Sequence, residues 1–94
     1  MEQIDRISQA VREYAEKNSY LIPSEHINQT DMNQLVDIGT SIMCTKWEIG
    51  NIGGNFVQSI VNNDLNGAIN HGDHVCSRCL KFFTTLHYNL GYVN

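Results

Sequence analysis

An all-α fold is predicted for this 94-residue chain. Apolar side chains recur at steps of three and four through most of its length, the period of a helix with one buried face. The single proline, Pro23, and most of the glycines fall between those patterns rather than inside them, Gly39 and Gly67 excepted. No segment shows the strict alternation of a half-buried strand. The expectation is a single-domain bundle of four or five helices over residues 1–94, with 1–18 as an N-terminal arm helix and 30–94 as the core. A chain of this size buries only about 60–65% of its unfolded surface. Assembly into a homo-oligomer is therefore expected, because it covers surface that a thin core leaves exposed.

Residues 1–18 place Ile4, Ile7, Val11, Tyr14 and Ala15 on one face, with charged and amide side chains around the rest. That face packs either on its own domain or on another subunit. Residues 19–29 form a connection, since Pro23 opposes a continuous helix. Tyr20, Leu21 and Ile22 are expected to anchor it. Pro23-Ser24-Glu25-His26 is suited to one short helical turn, with His26 in polar company and solvated. Thr30 is the expected cap of the second helix, with Asp31 at the positive end of its dipole. Met32, Leu35, Val36, Gly39, Ile42, Met43 and Trp47 form its stripe. Gly39 within that stripe predicts close approach of another helix. Cys44 reads as a small buried hydrophobe.

Gly50 to Gly54 is a hinge, after which Phe56, Val57, Ile60 and Val61 resume the helical steps. Asn62-Asn63-Asp64 favours caps and turns over helix interior. A helix over 55–62, a break at Asn63-Asp64 and a short helix to Asn70 follow. Asp73 is the expected cap of a last helix carrying Cys76, Cys79, Leu80, Phe83, Leu86, His87 and Leu90, with Gly91 as its stop.

Charge excludes some functions. The net charge is −4, and the six basic residues are Arg6, Arg12, Lys17, Lys46, Arg78 and Lys81. Without a basic stripe there is little to neutralise phosphates, so duplex nucleic acid is not an expected partner. The N-terminus lacks a secretory apolar core. No apolar run approaches the ~20 residues that cross a bilayer. A cytoplasmic location without membrane association is expected, with Cys44, Cys76 and Cys79 reduced.

Three constellations bear on chemistry. His71-x-x-His74-x-Cys76-x-x-Cys79 supplies a full tetrahedral zinc complement. Against it, a helix beginning at residue 74 points His74 and Cys76 about 200° apart, so buried thiols beside polar histidines are favoured and no metal is expected. A Cys–His nucleophile would need Cys44 and a histidine to converge on a pocket; no spacing supports that, and no catalytic residue or cofactor is expected. The third is the hinge. Gly53, Gly54, Asn55 and Phe56 lie at a helix start, where backbone N–H groups can face an anion. Trp47, Phe56 or Tyr88 can stack a base there, and Asn55, Asn63 and Asp64 can supply polar contacts. A purely structural turn is the competing account. Lys46 or Arg78 would supply any positive charge, and Arg78 is kept in the expected ligand set.

Trp47-x-Ile49-Gly50-x-x-Gly53-Gly54-x-Phe56-Val57-x-x-Ile60-x-x-Asn63-Asp64-Leu65-x-x-Ala68, with Tyr88-Asn89 near the end, resembles a pattern in small proteins encoded by tailed bacteriophages. The resemblance spans residues 42–89. It departs at His71-Gly72-Asp73, where Arg-Ala-Asp is usual in those proteins. It implies a phage accessory protein acting in the cytoplasm of a bacterial host. Small helical phage proteins of this size include oligomers that sequester cyclic-nucleotide or ADP-ribose-type signals of bacterial immunity, an anti-defence role. The expectation is a non-catalytic protein that binds a small phosphorylated ligand at Trp47, Gly53, Gly54, Asn55, Phe56, Asn63, Asp64, Arg78 and Tyr88. The alternative is an interaction or structural module that binds a host or phage protein without a small ligand.

Overall fold

A computed structural model describes residues 2–94. Its α-helices are α1 (Glu2–Lys17), α2 (Gln29–Lys46), α3 (Asn55–Val61), α4 (Leu65–His71), α5 (His74–Arg78) and α6 (Leu80–Asn89), with 3-10 turns at Ser19–Leu21 and Ser24–His26. No strand occurs among the described residues. α1 lies along α2, α3 pairs with α4, and α6 packs on α1, α2 and α3. No helix among the described residues is long and apolar enough to cross a membrane.

The core follows the predicted stripes. Ile7, Val11 and Ala15 of α1 meet Leu35, Val36, Ile42 and Met43 of α2 and Phe82, Phe83 and Leu86 of α6, all buried. Aromatic rings join the layers edge to face: Phe82 on Phe83 with centroids 5.5 Å apart, and Phe83 on Phe56 at 5.7 Å. Gly39 marks the close approach that its place in the stripe predicts. A Cβ there would lie 2.7 Å from Val11 Cγ1 and 3.0 Å from Leu86 Cδ2, so α1, α2 and α6 meet over a bare backbone. The face of α1 is thus covered by its own chain.

The structure corrects four local expectations. The α2 cap is Asn28, not Thr30; the Asn28 side chain accepts from the Asp31 N–H at 2.9 Å. The last helix is divided at Cys79, whose backbone (φ −102°, ψ 19°) leaves the helical geometry and ends α5. Neither Pro nor Gly announces that break; α5 packs against α2 while α6 continues across α1, α2 and α3. Leu21 and Ile22 anchor the connection, whereas Tyr20 stands in solvent. His26, expected in solvent, is buried. The break between α3 and α4 and the Asp73 cap of α5, which accepts from the Cys76 N–H at 2.9 Å, fall where the sequence puts them.

Candidate functional site

Two regions carry unusual local chemistry, and they are built from different parts of the chain. The first is the hinge between α2 and α3. α2 closes with Glu48 in the left-handed region (φ 58°), the Ile49 N–H donating to Cys44 O at 2.8 Å and the Glu48 N–H to Thr45 O at 3.3 Å. This is a Schellman closure with glutamate where glycine is usual. α3 closes the same way: Asn63 has φ 63°, and the Asp64 N–H donates to Ser59 O at 2.7 Å. Between these ends, Thr45 Oγ1 accepts from the Gly53 N–H at 3.0 Å, and Gln58 Nε2 donates to Gly53 O at 2.7 Å. A Cβ on Gly53 would meet Ser41 Oγ and Val57 Cγ1 at 2.6 Å, so glycine is required for space.

A cleft of about 460 Å³ opens beside this hinge, lined by Thr45, Glu48, Gly50, Ile52, Gln58, Val61 and Asn62. The residues expected to bind a ligand border this region or lie elsewhere, and none is in the lining. The Gly53 N–H is not free for an anion, because Thr45 holds it. Gly54 caps α3 without a side-chain bond, and Asn55 is exposed at the first turn. Phe56 does not stack a base: its ring is buried against Phe83. Trp47 sets its ring on Tyr92 at 5.0 Å. Asp64 caps α4 through the Gly67 N–H at 3.1 Å, and Asn63 forms the preceding turn. Tyr88 is exposed beside His87. Arg78 pairs with Glu25 instead of facing the hinge. Lys46 donates to the His87 carbonyl.

The second region joins the 3-10 turn Ser24–His26 to the start of α5. His26 is only 4% exposed. Its Nδ1 lies 3.0 Å from Asp31 Oδ2. Asn28 Nδ2 donates to the same oxygen at 2.9 Å. An ionised carboxylate only accepts, so Nδ1 of His26 carries a proton, and in the neutral imidazole Nε2 is the nitrogen with the lone pair. The His26 bond, then that of Asn28, holds the Asp31 carboxyl below its ordinary value. His26 Nε2 is buried without a hydrogen-bond partner. Such an orphan costs about 1–3 kcal/mol. The His74 ring approaches edge-on with centroids 5.4 Å apart, and ligating atoms of Glu25, His26 and His74 lie within 4.8 Å of one another.

The His71, His74, Cys76 and Cys79 set does not converge. His71 ends α4 in solvent and His74 turns to His26, while Cys76 and Cys79 are free buried thiols in the core. Burial is the main cause that pushes the Cys76 thiol up to about 12 and Cys79 to about 11, so both remain protonated at neutral pH.

The cleft lining has only a weak signal in the spacing: Gln58 lies three and four residues before Val61 and Asn62, while Glu48, Gly50 and Ile52 lie outside any helix. The His26 site gave a fainter signal: an Asn28-x-x-Asp31 cap directly after the Pro23–His26 turn, between apolar Leu21-Ile22 and Ile27. Comparison of the chain with protein-family models, curated proteins and solved structures gives no match.

Proposed function

We propose that the chain is a non-catalytic binding protein whose hinge cleft takes a small polar ligand. The observation that carries this reading is the cleft of about 460 Å³ held between two Schellman closures. That volume lies within the range of small-molecule sites, about 300–1,000 Å³. Thr45, Gln58 and Asn62 offer neutral donors and acceptors, Ile52 and Val61 offer apolar contact, and Glu48 is the one charge in the lining. Glu48 is the one titratable group in the lining, and the Thr45 hydroxyl is engaged by the Gly53 N–H with no base beside it in the lining other than Glu48, which favours binding over chemistry.

The charge pattern sharpens the expected ligand. Glu48 repels phosphate, and Lys46 and Arg78 are both engaged elsewhere. A phosphorylated ligand such as a cyclic nucleotide therefore presents its base and ribose edges to this cleft. Its phosphates are met by basic side chains of a second copy. Exposed Ile52, Leu65 and Ile69 supply apolar surface for that self-association. The phage resemblance supports sequestration of an immune signal as the role.

The test is thermal shift of the intact chain against cyclic dinucleotides and ADP-ribose derivatives, with light scattering of the same samples. A raised Tm that Gln58→Ala and Asn62→Ala each diminish is the expected result. No shift at saturating ligand would sink the reading, and a clean monomer in the presence of ligand would sink its two-copy form.

A further inference from the structure

We propose that Glu25, His26 and His74 form a binding site for a divalent zinc-type ion, separate from the hinge cleft. The ligating atoms already lie within 4.8 Å of one another. Zinc–nitrogen and zinc–oxygen bonds of about 2.0–2.2 Å set tetrahedral ligands about 3.3 Å apart. The approach still required is small, and the side chains that must move are exposed ones, Glu25 and His74, whereas His26 is buried and held by Asp31.

The fixed ligand carries the inference. Asp31 accepts a hydrogen bond from the Nδ1–H of His26, so Nε2 is the nitrogen left for a ligand, and it is buried without a partner. Carboxylate–histidine pairs of this kind orient and strengthen the metal-binding imidazole in metal centres. Asp31 is itself placed by Asn28, which caps α2 through the Asp31 N–H. The His74 end is equally well supported. Asp73 caps α5, and Gln34 of α2 donates to Asp73 Oδ2 at 2.8 Å, tying the start of α5 to α2. The ligands thus come from two elements far apart in sequence, both secured to α2.

The donor set selects the ion. Two imidazoles and a carboxylate suit zinc and its transition-metal neighbours, whereas calcium and magnesium favour all-oxygen sites. Three protein ligands leave a fourth position for water or another small donor. Arg78 pairs with one oxygen of Glu25, leaving the other for the ion. Its positive charge opposes the metal, and the carboxylates of Glu25 and Asp31 offset it. Bound metal would staple the 19–28 connection to α5.

The experiment uses the full, tag-free chain, stripped with a chelator and titrated with zinc chloride, then with cobalt(II) for its visible spectrum. One zinc per chain and a raised Tm are expected, with cobalt bands free of thiolate charge-transfer absorption. His74→Ala and Glu25→Gln, both at exposed positions, should abolish or sharply weaken uptake. Asp31→Asn should weaken it about 10- to 100-fold with His26 intact. His71→Ala and Cys76→Ser should leave it unchanged. Absence of stoichiometric uptake overturns the proposal. So does uptake that survives His74→Ala, or uptake that is lost with His71→Ala or Cys76→Ser.

Discussion

The hinge and the His26 turn are both irregular connections beside α2, yet they leave their polar groups in opposite states. At the hinge, the Schellman bonds at Glu48, Ile49, Asn63 and Asp64 close the helix ends, and Gly53 is held on both its N–H and its carbonyl. The cleft beside it is a space between satisfied groups, which a ligand can enter without completing anything. At the turn, an imidazole is buried with one nitrogen held by Asp31 and the other unpartnered. There the fold is locally incomplete, and a third group between His26, His74 and Glu25 would complete it. An open cleft marks capacity, whereas an orphaned buried nitrogen marks demand.

The largest expected effect tests the floor of the His26 region. Folding raises the Cys76 and Cys79 pKa values from the ordinary 9.0 to about 12 and about 11. Below pH 9.0 both thiols are protonated in either state and their contribution is fully present. As pH rises through the window from 9.0 towards those values, the unfolded chain loses protons that the folded one keeps. Each thiol then costs up to about 1.4 kcal/mol of stability per pH unit. Urea unfolding between pH 8 and 10.5 should show this fall, and Cys76→Ala should reduce its slope while Cys79 keeps part of it. An unchanged slope would mean that the thiols are reachable by solvent and available as ligands.

Next in size is a pair of substitutions at the hinge. Gly53→Ala puts a methyl into Ser41 and Val57 and should cost about 1–3 kcal/mol by overpacking. Gly54→Ala meets nothing within 4 Å. Its cost should stay within about 1 kcal/mol, the difference between glycine and alanine as a helix cap. Equal effects in denaturant titrations would contradict a hinge built around one tight glycine. Replacing the orphan should separate the two regions more directly. His26→Leu in the metal-stripped chain should leave Tm unchanged or raise it, because an apolar side chain removes the unpaired nitrogen along with its partner bond. A large drop would show the imidazole satisfied in solution. The smallest effect is Glu48→Gly, which relieves a left-handed non-glycine residue and should stabilise by less than about 1 kcal/mol. Destabilisation would mean that the Glu48 side chain supports the hinge.

Much of the frame was legible in sequence. The stripes of Ile7-Val11-Ala15 and Leu35-Ile42-Met43 predicted which faces are buried, and Gly39 predicted the close crossing. Asn62-Asn63-Asp64 and Asp73 announced the breaks after α3 and α4, because their side chains prefer capping to helix interior. Phe56 belongs by spacing to a buried stripe and by position to the hinge, and its packing against Phe83 puts the ring in the core. Arg78 was placed with the hinge by its charge, and the tertiary fold gives it to Glu25. The break at Cys79 has no local cause in residue type.

What the sequence determined alone was local: helical periods, caps, turn residues and the absence of a basic stripe, all set by side chains acting within a few positions of one another. What only the tertiary structure decided was which distant residues meet. Forty-eight positions separate His26 from His74, and no local preference encodes their contact. It arises because Asn28 starts α2 beside the turn and Gln34 draws Asp73, and with it α5, onto the same helix. Burial follows from that convergence. It turns a histidine that sits among polar neighbours in the chain into one whose free nitrogen water cannot reach.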